Sequence, residues 1–249
     1  MIVQMKQSFS RNMYKMTLFV TPIFSTIMLG EMYKNSSAEN FMSYVVLGSG
    51  LFSFWSCIVF SSIGDIDRER WGATLPLIFV APCSFRKILT GKILGNTVLS
   101  LITFLLTLVA AMVLYRQPII INNVWLFIAA FMAMLICFVV VSLFFAYLLT
   151  LSRKTRTLMN CLDVPIALLC GFAFPVEILP LWVRFISYPL PITWAVKLLR
   201  LGVTGTNRVE FLTTLGLFAG TTAVFAVVAH ALYLVIEDRV RKTASLEVA

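Results

Sequence analysis

Long apolar runs broken by short polar stretches organise the chain. A bilayer core takes about 20 apolar residues per helix, with a range of about 17 to 25. Six runs reach that length, at residues 16–33, 41–63, 93–114, 124–149, 158–174 and 211–236. The pattern predicts six transmembrane helices in an all-α integral membrane protein, a single domain over residues 1–249. Ahead of the first run, "QMKQSFSRNMYK" places Met5, Phe9, Met13 and Met16 at spacings of four and three with Lys and Arg between them, which predicts a helix lying in the membrane interface. A cleavable signal peptide competes for the first run, but "GEMYKNSSAEN" after it offers no clear small-residue cleavage site, so a retained anchor is expected.

Composition agrees with the pattern. Hydrophobic residues make up 60% and charged residues 12% of the chain, about half the charge of a soluble domain. Mean hydropathy is +0.94. The net charge of +9 would raise the question of nucleic acid in a soluble protein, but in a membrane protein it reports topology. With the N-terminus inside, fourteen of the twenty Lys and Arg fall on inner segments and six (Lys34, Arg116, Arg184, Lys197, Arg200, Arg208) on outer ones. Both termini are therefore expected in the cytoplasm of a multi-pass protein of the cell membrane, with the bilayer and not nucleic acid as partner. The five cysteines lack metal-ligand spacing, and one histidine without HExxH or GxSxG removes the usual membrane protease and hydrolase constellations. No catalytic residue, metal site or cofactor of this chain's own is expected.

"GDIDRERWGATLPLIFVAPCSF" puts five charges at Asp65, Asp67, Arg68, Glu69 and Arg70. Residues 65–92 form the longest inner connection. Asp65 or Asp67 can cap a short helix over residues 68–75. The apolar patch 77–80 is too short to span, and Arg86, Lys87 and Lys92 mark the return into the bilayer. A helix charged at one end and apolar along its body suits docking with another protein. No GxxxxGK[ST] phosphate loop occurs in the sequence, so any ATPase that drives the protein is another chain.

At these residues "RERWGATLPLIFVAPCSFRKILTGKIL" resembles the E-R-x-x-G-T-L…P-x-x-x-x-x-I-x-x-G-K pattern after the second span in permease subunits of type-2 ABC exporters. "GFAFPVEILPLWVRFISYPLPITWAVKLLR" resembles that family's other recurrent block, before the last span, and the likeness covers essentially the whole chain. The resemblance implies a cytoplasmic coupling helix at residues 68–75 that seats in a groove of a separate ATPase, with Asp65, Asp67, Arg68, Glu69, Arg70, Gly72, Thr74 and Leu75 as ATPase-coupling residues. It implies two ABC ATPase subunits that bind ATP and Mg, and a second permease, identical or related, making a dimer. It further implies short re-entrant outer helices over residues 175–201, and ATP-driven export or efflux of a hydrophobic or amphipathic substrate such as a drug, antibiotic, peptide or lipid-like molecule, a role in antibiotic resistance included. One departure stands out. Where the family commonly reads G-T-L-E, this chain has Gly72-Ala73-Thr74-Leu75-Pro76, with one insertion and a proline in place of the acid.

The outer block 175–202 is too apolar for a solvated loop, and its four prolines with Trp182 and Trp194 suit broken helices at headgroup level. Thr193 can cap the last of them, in which Lys197 and Arg200 share one face. Glu177, Trp182, Lys197 and Arg200 are candidates for an outer gate, with anchoring to lipid phosphates as the other reading. Within the spans two ionisable residues stand out, Asp163 and His230, as candidates for a translocation path or for structural polar contacts. They fall at similar depth and could pair. Spans two to four carry no charge, which speaks against an ion-coupled carrier. The alternatives are an ATP-independent carrier or a membrane assembly or scaffold protein, separated by whether an ATPase accompanies the chain.

Overall fold

The computed structural model describes residues 12–33, 41–72, 85–116, 121–151, 155–205 and 208–243, with residues 6, 9 and 10. The elements are α1 (Asn12–Tyr33), α2 (Phe41–Ile58), a π-helical segment (Val59–Ile63), α3 (Gly64–Trp71), α4 (Phe85–Tyr115), α5 (Val124–Thr150), α6 (Thr155–Leu169), a 3-10 turn (Val176–Ile178), α7 (Leu181–Ser187), α8 (Pro191–Thr204) and α9 (Arg208–Thr243). No strand occurs among the described residues. Of the expected interfacial stretch 4–15, residues 12–15 open α1, and residues 4, 5, 7, 8 and 11 lie outside the described residues.

Among the described residues five helices are long and apolar enough to cross a membrane: Tyr14–Tyr33, Tyr44–Trp71, Phe85–Tyr115, Val124–Thr150 and Arg208–Asp238. The expected span at 158–174 is realised as the 15-residue α6, about 22 Å long at 1.5 Å per residue. It stops because Gly171 turns into the left-handed region at φ 74°. The chain nevertheless changes ends of the bundle here. α6 follows α5, whose last carbonyl, on Thr150, accepts from Arg70 of α3. Beyond α6, the Ala173 carbonyl accepts from Tyr33 at the far end of α1.

α1, α2 and α4 pack together, as do α5, α8 and α9, and the π segment of α2 touches α5 and α6. Between these groups is an aromatic core: Phe138 meets Phe54 at 5.1 Å edge-on, Trp55 at 5.8 Å and Phe172 at 6.5 Å. In lipid, association relies on close packing and not on escape from water. Small residues permit it: a Cβ on Gly202 of α8 would lie 3.0 Å from the Phe127 Cα of α5. α8 opens on Pro191 with Leu190 in the capping position, so Thr193 is not its cap; its hydroxyl donates to the Ser187 carbonyl instead.

The C-terminal boundary of the second span differs from expectation. α2, the π segment and α3 form one continuous helix to Trp71, so Asp65 does not cap a new helix. α4 likewise begins at Phe85, eight residues before the apolar run. Apolar counting ends a span at the first charges, whereas here the charges are satisfied inside the bundle and the helix continues.

Candidate functional site

Asp65 is 3% exposed. Its carboxylate accepts from Asn96 Nδ2 of α4 at 2.9 Å and from the Arg68 guanidinium. Arg68 also donates to the Ser61 carbonyl at 3.1 Å and the Phe60 carbonyl at 3.4 Å. These carbonyls belong to the π segment, whose widened turn weakens the ordinary i to i+4 ladder. Glu69 forms an ion pair with Lys92 of α4, both largely buried. Arg70 donates to the Thr150 carbonyl of α5 at 2.8 Å, satisfying one of the acceptors a helix C-terminus leaves open.

The run of charges is thus divided. Asp65, Glu69 and Arg70 reach into the bundle and tie α3 to α4 and α5, while Trp71 is 80% exposed and Gly72 lies exposed at the tip, its N–H donating to the Arg68 carbonyl. α3 presents an outward tip on an inward root. Two of the root's contacts reach α4 and one reaches α5. The side chain of Asp67, and Thr74 and Leu75 entirely, lie outside the described residues.

At the opposite end, Glu177, Lys197 and Arg200 line one cavity of about 180 Å³. Lys197 and Glu177 approach to 3.9 Å with both side chains well exposed, a contact of about 0–1 kcal/mol. Arg200 is held more firmly. It donates to the Gly171 carbonyl at 2.7 Å and the Phe172 carbonyl at 3.2 Å, and its guanidinium lies 5.5 Å from the Tyr44 ring centroid. Burial lowers its pKa from the ordinary value, opposed by Tyr44, Tyr33 and Glu177, and a guanidinium remains charged there. Trp182 does not join this group; it is 71% exposed on α7, beside the exposed Leu181 and Phe185.

Asp163 and His230 are not brought together. Both carboxylate oxygens of Asp163 accept from Ser56 Oγ of α2, at 2.8 and 2.9 Å, and its backbone carbonyl accepts from Trp55 Nε1 at 3.1 Å. His230 is exposed on α9 and stacks on Tyr233 at 6.3 Å.

Pattern reading passes over Asn96 and Ser56 as partners of the acids, and takes Lys92 only as a mark of the return into the bilayer. Asn96 does carry a signal, as the one amide within the long apolar stretch of α4. Ser56 carries none, being one of six serines between residues 43 and 62.

The family model of the ABC-2 type transporter matches residues 1–203. No curated protein matches the chain.

Proposed function

The chain belongs to the ABC-2 type transporter family, and from that premise we propose that it is the permease subunit of an ATP-driven exporter moving a hydrophobic or amphipathic substrate. Two ATPase subunits, carried on separate chains, bind ATP and Mg and dock at residues 68–75. A second permease, identical or related, completes the path. Both termini face the cytoplasm and six segments cross the bilayer, α6 among them.

The observation that carries the coupling role is the inward root of α3. Glu69 to Lys92, Asp65 to Asn96 and Arg70 to Thr150 connect the docking tip to α4 and α5. Motion of an ATPase groove around Trp71 and Gly72 then tilts two further helices without needing a contact of its own to either. The cavity between Glu177, Lys197 and Arg200 fits an outer gate, because its weakest link is the exposed 3.9 Å pair and its firmest is the arginine.

The test is copurification in mild detergent with an ATPase encoded beside the chain, followed by reconstitution. Glu69→Ala is expected to leave assembly intact and lower transport-linked ATPase activity roughly fivefold, the lower end of a typical coupling free energy. Unchanged coupling in an assembled complex overturns the assignment.

A further inference from the structure

Where α4 starts and α5 ends, α9 passes beside them and a second cavity of about 200 Å³ opens, which the transport reading does not use. Its walls are side chains of two membrane-spanning helices, Leu143 of α5 and Ala226 of α9. Tyr147 and Tyr233 meet along it at 5.8 Å, and His230 stacks on Tyr233. Phe85 meets the Tyr147 ring at 6.4 Å, and the next residue, Arg86, lines the same cavity.

The charge of this groove is one-sided. Arg86 is exposed, and no carboxylate pairs with it among the described residues. No acidic side chain lines the cavity. An apolar slot between two spans, ending in a free guanidinium with phenol and imidazole donors nearby, matches a molecule with a hydrocarbon body and an anionic head. Arginine offers a fork of N–H donors matched to phosphate oxygens, and Tyr and His add further donors. Ala226 and His230 are exposed, so the slot opens sideways, toward the surroundings of two spanning helices and not toward a closed path.

We infer that this groove holds one anionic glycerophospholipid of the adjacent leaflet, its phosphate on Arg86 and His230 and an acyl chain against Leu143 and Ala226. A zwitterionic lipid would bring an ammonium group that no acidic side chain of the cavity lining meets. The inference needs only that α5 and α9 lie in a bilayer, and it stands or falls separately from the direction of transport or the identity of the cargo.

The experiment uses the full chain purified in detergent and titrated with phosphatidylglycerol or phosphatidylcholine, read by native mass spectrometry for retained lipid and by the shift in melting temperature. The wild-type chain is expected to retain one phosphatidylglycerol in preference to phosphatidylcholine. Arg86→Ala should weaken that retention about fivefold, the weight of one basic residue at an anionic surface. Ala226→Trp, which fills the slot and leaves the cation in place, should weaken it as well, and it keeps the test intact if Arg86→Ala fails to fold. Arg116→Ala, between α4 and α5 at the other end of the bundle, should bind as wild type. Equal retention of the two lipids, or an unchanged preference in either Arg86→Ala or Ala226→Trp, overturns the inference.

Discussion

One hydroxyl proton on Ser56 serves both oxygens of Asp163, so the carboxylate in the apolar run of α6 is sparsely supplied with donors. Ser56→Ala removes that supply and leaves a buried acceptor unmet, which costs about 1–3 kcal/mol. Asp163→Asn removes the charge yet keeps an acceptor for Ser56, so it should cost less. Melting of the purified complex is expected to rank Ser56→Ala below Asp163→Asn, and transport by Asp163→Asn should stay near wild type if the acid is a structural contact. A Asp163→Asn chain that melts normally but no longer transports would place the carboxylate on the path instead. The acid itself was legible in the sequence, as an ionisable group in an apolar run. Its partner was not, because spacing alone does not say which of the serines between residues 43 and 62 faces inward. The same limit hid the division of the charged cluster: its five charges read together as one docking helix, while the fold turns Asp65 inward and Trp71 outward.

Helices raise the question of what ends them. Hydropathy located five long helices closely, but it ended α2 at residue 63 and began α4 at residue 93, since charge is costly only where it lacks a partner. Here Glu69 and Lys92 supply one another across eight residues of α3 and the first turns of α4. A double-mutant cycle of Glu69→Ala and Lys92→Ala should therefore show each single change costing about 2 kcal/mol, as for a hydrogen-bonded charge, with the second change costing less once the first is made. Additive losses would mean that the two side chains act separately. At the other terminus of the problem, α6 ends because Gly171 takes φ 74°, where an added Cβ would come 2.7 Å from Val176 Cγ2 and 2.9 Å from the Phe174 carbonyl. Gly171→Ala should cost at least the 1–2 kcal/mol of a left-handed alanine, and it should loosen the carbonyl that Arg200 holds. The check is a lowered melting temperature together with greater proteolysis between α6 and α7. Nothing in the apolar run 158–174 announced that stop, because glycine is common inside membrane helices as well as after them.

For the molecule as a whole, α6 decides whether the chain crosses five times or six. The excess of basic residues inside does not decide it: keeping α6 on one side would move Arg184, Lys197, Arg200 and Arg208 in and Arg239, Arg241 and Lys242 out, giving fifteen inner cations against five in place of fourteen against six. Contacts are more discriminating. Asn122, in the connection between α4 and α5, donates from its amide side chain to the Thr204 carbonyl at 2.8 Å and from its backbone N–H to the Val203 carbonyl at 3.1 Å. The end of α8 is thereby bound to the α4–α5 connection, and Tyr33 reaches Ala173 from the same end of α1. α6 starts at the Thr150 end and finishes at the Asn122 end, which supports a crossing even though its helix is only about 22 Å long. Its shortness is compatible with this because neighbouring helices, not lipid, surround the bend that follows, and irregular backbone is tolerated at membrane depth when protein covers it. The consequence can be measured with a membrane-impermeant thiol reagent on intact cells, against the wild-type background of native cysteines. Arg116→Cys and Arg208→Cys should both label from outside while Lys87→Cys is protected until the membrane is opened. Protection of Arg208→Cys with labelling of Arg116→Cys would reduce the count to five, and labelling of Lys87→Cys alone would invert the orientation and place the proposed docking tip on the side where no ATP is supplied.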